Sequence, residues 1–269
     1  MNDQDLSRCI EEFQTDGVTV LRGVFTDWVE GARQAIEENK QKPSWRERTY
    51  LPEAGDGESG AAFFQDYCVW SQFEGYRALV EDSPMPELAA KLMQSKTARI
   101  FHDHVLVKEP GSSVVTPWHQ DKPYYLVDAE CSVSFWVALD PVPRERTIEY
   151  VAESHRWGKS FKPQRFDGSD LYEGDNSDAV PDIDTHRDDY KILGWPVAPG
   201  DAVAFQFGVL HGAAANSSSE RRRVISFRWV GDGATFADRP GKTSPAFPDL
   251  QYKDGAPFEG AEFPQLYPR

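Results

Sequence analysis

The chain is expected to fold as a mainly β protein with flanking helices, a double-stranded β-helix of the jelly-roll type. Three observations predict it. Beyond residue 97 short apolar stretches alternate with turn-forming clusters such as Pro199-Gly200-Asp201 and Asn216-Ser-Ser-Ser-Glu220, the texture of an antiparallel sandwich or roll. Before residue 97 the apolar residues recur at helical spacing instead. No internal repeat or linker divides the chain, so one domain over 1–269 is expected. It comprises a mostly helical part (1–97) packed on the barrel, a jelly-roll core (98–232) and an extended tail (233–269).

Each element has its own warrant. Residues 4–14 place Leu6, Ile10 and Phe13 on one helical face, and Asp16-Gly17 turns the chain into a strand, Val18-Thr-Val-Leu21. Asp27 is positioned to cap a helix running to about residue 40, which Pro43 ends. Residues 44–75 read as irregular, and the Gly-rich stretch 55–60 as a loop. A helix around 85–95 follows, carrying Met85, Leu88 and Leu92. Strands are expected at 98–108, 113–118, 132–139, 147–152, 192–197, 201–210 and 222–230. The Asp- and Gly-rich segment 166–190 is expected to be a long surface insertion, and with the loop 52–62 it is a candidate for gating a substrate.

Composition removes several function classes. With 39% hydrophobic and 13% aromatic residues in 269, the chain can bury a sizeable core. A formal charge of −15 argues against nucleic acid, which requires a basic footprint, and against an anionic membrane surface. The charge is read as solubility, and it leaves room for a local basic pocket facing an anionic substrate. Cys9, Cys68 and Cys131 are odd in number and lack a Cys-x-x-Cys pattern, which disfavours a disulfide framework or thiolate zinc site. The N-terminus lacks the basic and apolar regions of a signal peptide, and no apolar run approaches a membrane span. A cytoplasmic protein is expected.

Chemistry concentrates in Thr116-Pro-Trp-His-Gln-Asp-Lys-Pro-Tyr124 and in His211. On an extended segment residues i and i+2 project to one side, so His119 and Asp121 can grip one ion. His211 would supply a third ligand from another strand. Two imidazoles and one carboxylate occupying one face of an octahedral metal leave the other positions open, as in non-haem Fe(II) oxygenases. The stretch Ala202–Leu210 is expected to run as one buried strand into His211, with Val203, Phe205, Phe207 and Val209 on the same face. An unpaired imidazole on such a face would carry a desolvation cost that a metal removes.

After the loop at 216–220 the chain returns as Arg221-Arg-Arg-Val-Ile-Ser-Phe-Arg-Trp229. An antiparallel return would bring Arg222 near His211. Alternation points Arg222 inward with Val224 and Ser226, and Arg221 and Arg223 toward water. A guanidinium near such a metal suits a carboxylate, which it holds through two parallel hydrogen bonds.

These residues resemble the phytanoyl-CoA dioxygenase family of Fe(II)- and 2-oxoglutarate-dependent oxygenases. The matching motifs are Lys108-Glu-Pro-Gly111, His119-Gln-Asp121, Trp136-Val-Ala-Leu139, Glu149-Tyr-Val151, Ser154-His-Arg-Trp-Gly158, His211-Gly212 and Arg222. The resemblance implies that His119, Asp121 and His211 are the catalytic iron ligands and that Arg222 clamps the distal carboxylate of 2-oxoglutarate. It also implies cosubstrate-pocket positions for Trp136, Gln120 and His104, and a turn-shaping role for Asn216. The chain departs from the family pattern at Arg146-Thr147, at Glu153 and at Ala213.

The activity so implied consumes 2-oxoglutarate and O2, releases succinate and CO2, and hydroxylates an unactivated C–H bond of a small molecule. Asp121 favours hydroxylation over halogenation, which needs a small residue there so that a halide can bind. Trp118, Tyr124 and Tyr125 flank the metal motif, and Lys122 is placed to meet an anionic group; a CoA thioester is not implied. The rival readings are a non-catalytic, cupin-like metal- or carboxylate-binding module and a Zn²⁺- or Mn²⁺-dependent hydrolase or isomerase. Arg222 discriminates, because a hydrolase has no evident use for it.

Overall fold

The segment Ser132–Ala138 is buried at every position, and its alternate residues serve two different interiors. Val133, Phe135 and Val137 pack in a cluster with the helices, whereas Trp136 and Ala138 join a second cluster inside the barrel. A strand covered on both faces reads as a continuous apolar run, and this one lies at the centre of the molecule.

The computed structural model describes residues 1–50, 61–112, 114–165, 168–216 and 218–269. Its helices are α1 (Asp3–Asp16), α2 (Val29–Gln41), α3 (Glu74–Glu81) and α4 (Met85–Met93). Its strands are β1 (Val18–Leu21), β2 (Phe63–Tyr67), β3 (Ala98–Lys108), β4 (Thr116–His119), β5 (Val127–Asp128), β6 (Ser132–Ala138) and β7 (Ile148–Val151). They continue with β8 (Ile192–Leu193), β9 (Ala202–Phe205), β10 (His211–Ala213), β11 (Arg222–Val230), β12 (Thr235–Phe236) and β13 (Gln265–Tyr267).

One sheet runs β1-β9-β6-β11-β3-β13, with β2 also paired to β3; the facing sheet runs β4-β10-β7-β8. Every pairing within them is antiparallel. The fold is therefore the expected jelly roll, with α1–α4 covering the outer face of the larger sheet.

Several local expectations are corrected. Asp27 does not cap α2; it sits in a one-turn 3-10 segment, Thr26–Trp28, and the helix starts at Val29 without a side-chain cap. The region 44–75 contains β2 and α3. β2 is buried at all five positions, so it shows no alternation to read, and α3 has only eight residues. Residues 51–60, which hold the expected Gly-rich loop and most of the proposed gate at 52–62, lie outside the described residues. Within the described part of 166–190 the chain forms a 3-10 turn, Arg187–Asp189, and buries Tyr172 and Ile183. The tail is extended, but β12 pairs with β5 and β13 with β3.

The largest correction concerns the stretch 201–210. It is not one strand: β9 stops at Phe205 in the large sheet, and the chain crosses to the small sheet before β10 begins at His211. The crossing is packed against the end of α1. Gly17 caps that helix at φ 80°, its carbonyl accepts from the Gln206 amide at 2.9 Å, and a Cβ there would lie 2.5 Å from Val209. Phe207 and Val209 consequently serve different clusters. β11 likewise does not return beside β10; it pairs with β3 and β6.

Candidate active site

His119 and His211 are direct cross-strand partners in the β4–β10 pair, and their rings lie 4.2 Å apart between centroids. Asp121 is not on the extended segment. It has already turned into helical geometry (φ −73°, ψ −38°), and its amide and that of Lys122 both donate to the Phe207 carbonyl, at 2.9 and 3.0 Å. The turn, rather than strand alternation, aims its carboxylate at the two imidazoles.

Both histidines are oriented by the same device. His119 Nδ1 lies 2.8 Å from the Pro117 carbonyl and His211 Nδ1 lies 2.9 Å from the Val209 carbonyl. A carbonyl only accepts, so each Nδ1 carries the proton and each Nε2 presents a lone pair. Those Nε2 atoms stand 3.8 and 3.9 Å from Asp121 Oδ1. The three donor atoms lie within 4.8 Å of one another and could hold a metal ion. Burial, followed by the neighbouring His119, pushes His211 down to about 3, and burial also lowers His119. Neutral imidazoles are the form that binds metal.

The other carboxylate oxygen, Asp121 Oδ2, accepts from Ser134 Oγ at 3.1 Å and lies 3.5 Å from the Arg228 guanidinium. Burial alone would raise this carboxyl, but Arg228 and then the two imidazoles outweigh it and hold it at about 2. Arg228 is itself fixed, donating to the Tyr125 hydroxyl at 2.9 Å and to the Ser226 carbonyl at 3.1 Å.

Farther along the same face of β11 stands Arg222. Register sets Arg222 opposite Lys108, Val224 opposite Ala138, and Ser226 between His104 and Trp136. Val224, Ala138 and Trp136 belong to the barrel interior, so Arg222 points inward as alternation predicts. Arg221 and Arg223 lie on the other face, paired with Glu109 and Asp140. Arg222 is 8% exposed and Lys108 1%. Each has backbone carbonyl partners: Arg146 for Arg222, and Val114 and Ala214 for Lys108. Among the described residues neither has a carboxylate partner, and the charge acting on each is another cation. Burial, then Arg222, pushes Lys108 down to about 6, and burial, then Arg146, pushes Arg222 down to about 10.

The Tyr150 and Ser226 hydroxyls, on the interior side of β7 and β11, are buried without a hydrogen-bond partner among the described residues. Tyr150 also stacks on His211, with ring centroids 5.9 Å apart. Buried polar groups and cations left in this condition are costly. A dicarboxylate reaching from the triad toward Arg222 is the kind of group that satisfies them, so the residues present fit 2-oxoglutarate.

The remaining expected site residues divide. Trp136 is buried in the interior row beside Ser226 and Val203. His104 stacks on Tyr67 at 3.9 Å, and its Nε2 lies 2.8 Å from Gln65 Oε1. Gln120 has its polar atoms engaged elsewhere, donating to the carbonyls of Lys159 and Gly208 and accepting from the Phe161 amide. Asn216 donates to the carbonyls of Lys108, Glu109 and Glu220, closing its loop. Lys122 pairs with Glu130. Sequence reading missed Arg228, Lys108 and Tyr150. The first lies six residues beyond Arg222 on the same alternating face, and Lys108 opens a motif already singled out, so both signals were present.

A cavity of about 330 Å³ opens onto His119 and Asp121. Trp118, Tyr124 and Tyr125 line it, as do His102, His104 and Tyr67. Segments near the insertion are tied to it. The Tyr124 hydroxyl bonds the Gln164 backbone, Tyr172 donates to the Pro123 carbonyl, and Trp118 donates to Asp184.

A two-histidine, one-carboxylate centre within a jelly roll is the architecture of iron- and 2-oxoglutarate-dependent oxygenases. The chain belongs to the phytanoyl-CoA dioxygenase (PhyH) family, whose profile matches residues 13–224. It is similar to the dioxygenase CdmD of Talaromyces verruculosus, at 24% identity over 248 residues, covering 81% of this chain and 71% of that protein. Among solved structures it resembles the epimerase SnoN in complex with Fe3+, α-ketoglutarate and nogalamycin RO, with TM-score 0.75 at 23% identity, covering 98% of this chain and 100% of that one. It also resembles the α-ketoglutarate-dependent carbocyclase SnoK of nogalamycin biosynthesis, with TM-score 0.73 at 23% identity and coverage of 99% and 96%. A third likeness is EctD from S. alaskensis, with TM-score 0.66 at 16% identity and coverage of 96% and 85%. The protein is a 2-oxoglutarate-dependent dioxygenase that uses iron, 2-oxoglutarate and O2. Among the described residues no helix is long and apolar enough to cross a membrane.

Proposed function

We propose that this enzyme hydroxylates an unactivated C–H bond of a small molecule, with His119, Asp121 and His211 holding Fe(II) and Arg222 holding the distal carboxylate of 2-oxoglutarate. One observation carries the reading: the metal-capable triad, through His211, and a buried guanidinium without a carboxylate partner among the described residues both border the apolar cluster inside the barrel. The balance is 2-oxoglutarate, O2 and R–H giving succinate, CO2 and R–OH. When bound, Fe(II) supplies open coordination positions for the cosubstrate and O2.

The chain's own residues do the rest. The Nδ1–carbonyl bonds fix both imidazoles, and Ser134 and Arg228 hold Asp121 ionised with one oxygen turned to the metal. Trp136 and His104 wall the space beside the cosubstrate. Gln120 acts one step removed, pinning the metal-binding turn to the backbone at Lys159 and Gly208. Asp121 fills the position a halide would need, which favours hydroxylation over halogenation.

Anaerobic addition of Fe(II) and 2-oxoglutarate should produce the weak visible absorption band of their chelate, and admission of O2 should release succinate. If neither occurs, the assignment of these residues fails. SnoN and SnoK are an epimerase and a carbocyclase, so C–H cleavage without oxygen insertion, ending in stereoinversion or ring closure, is the second reading. Incorporation of ¹⁸O from ¹⁸O2 into product selects hydroxylation.

A further inference from the structure

The chain carries 44 acidic and 29 basic residues, yet among the described residues five cations and one carboxylate line the cavity over the metal-capable cluster. The carboxylate is Asp121, and Arg228 is its partner. Lys162 pairs with Asp170. That leaves Arg48, Arg165 and Lys242, which have no carboxylate partner among the described residues. Arg48 donates to Ser244 Oγ and lies over the Tyr67 ring at 5.4 Å, and Arg165 donates to the carbonyls of Asp170 and Leu171. They come from three segments remote in sequence, and all three are exposed, whereas Asp121 and His211 are buried. These exposed cations thus mark the solvent side of the cavity, the buried Asp121 and the half-buried His119 mark its inner side, and Tyr50, Tyr67 and Tyr124 are part of the lining they share.

Resting on the oxygenase reading above, we propose that the substrate is an anion: a compact cyclic or aromatic body bearing a carboxylate or phosphate. Its charged group docks at Arg48, Arg165 and Lys242, and its apolar body lies among the tyrosines, which turns the carbon to be oxidised toward the metal. In a strongly acidic molecule this patch is opposite in sign to the whole, and a cleft with low-dielectric walls concentrates the field of such a patch. Aromatic walls provide contact area for a flat body. A cavity of about 330 Å³ is at the small end of ligand pockets, which sets the size of that body.

The test uses the full-length protein with Fe(II) and 2-oxoglutarate under anaerobic conditions. Calorimetry measures its affinity for three probes that share one naphthalene body: 2-naphthoate, 2-naphthyl phosphate and 2-naphthylmethanol. At least one anion should bind about tenfold more tightly than the alcohol, since several partly solvated ion pairs act together. The preferred anion distinguishes carboxylate from phosphate. In the double variant Arg48→Gln, Lys242→Gln the preference should fall to about twofold while alcohol affinity is retained. Equal affinities in the wild type, or a preference that survives in the double variant, overturn the proposal. A raised 2-oxoglutarate requirement with unchanged probe preference also overturns it, by assigning the patch to cosubstrate capture. The chelate absorption band, recorded on the same samples before probe is added, reports separately on the oxygenase reading.

Discussion

The two ends of the barrel interior treat buried charge in opposite ways. At the metal-capable end Asp121 is surrounded by Ser134, Arg228 and two neutral imidazoles, and its carboxyl is held at about 2. At the other end Arg222 and Lys108 face each other across β11 and β3 without an acidic partner among the described residues. One end is electrostatically complete, and the other, among the described residues, has no acid to complete it. Leaving a buried charge unpaired costs stability, so under the proposed clamp role of Arg222 this is the end where stability would be given up for binding.

The largest effect should come from breaking the complete end. Asp121→Ala is expected to lower 2-oxoglutarate-dependent product formation by orders of magnitude, measured as succinate per enzyme, and to abolish stoichiometric Fe(II) retention. At the other end, Arg222→Met should raise the KM for 2-oxoglutarate about 100-fold, because the lost pair is charge-assisted and buried. Without cosubstrate the same variant should melt no lower than wild type, since an uncompensated cation has been replaced by an apolar chain of similar length. A marked fall in its melting temperature would contradict the comparison.

Removing the support of the carboxylate is milder. Arg228→Met should weaken Fe(II) binding about tenfold while leaving the KM for 2-oxoglutarate within about twofold, as read by metal titration and steady-state kinetics.

The smallest effect concerns Lys108, pushed from its ordinary value of 10.5 down to about 6. Between those values the unfolded chain binds more protons than the folded one, so this group makes stability climb as pH rises across that window and adds no slope below it. Lys108→Met should therefore gain most over wild type near pH 6 and least near pH 10. Urea midpoints of both proteins across this range check the sign.

The metal-capable cluster was readable because its signals are local: His119-x-Asp121 is contiguous, and His211 is a polar residue following an apolar stretch. The inward direction of Arg222 was readable from alternation alone. What failed depended on the path of the chain between sheets. Ala202–Leu210 looks like one strand because both of its halves are buried, and nothing in the residue pattern separates burial in one cluster from burial in two. The same blindness hid β2, uniformly buried, and left Lys108 unread, because a lysine in a sequence is taken to be solvated. The basic mouth of the cavity was invisible for a different reason: Arg48, Arg165 and Lys242 meet only after folding, against a background of opposite net charge.

The grip of each imidazole on a carbonyl two residues before it has an evolutionary corollary. Main-chain atoms are present whatever side chains surround them, so the positions facing a substrate can be exchanged wholesale without re-aiming either ring. A scaffold wired in this manner can rewrite much of its wall without disturbing either ring, provided that Arg228 and Tyr125 beside Asp121 are kept.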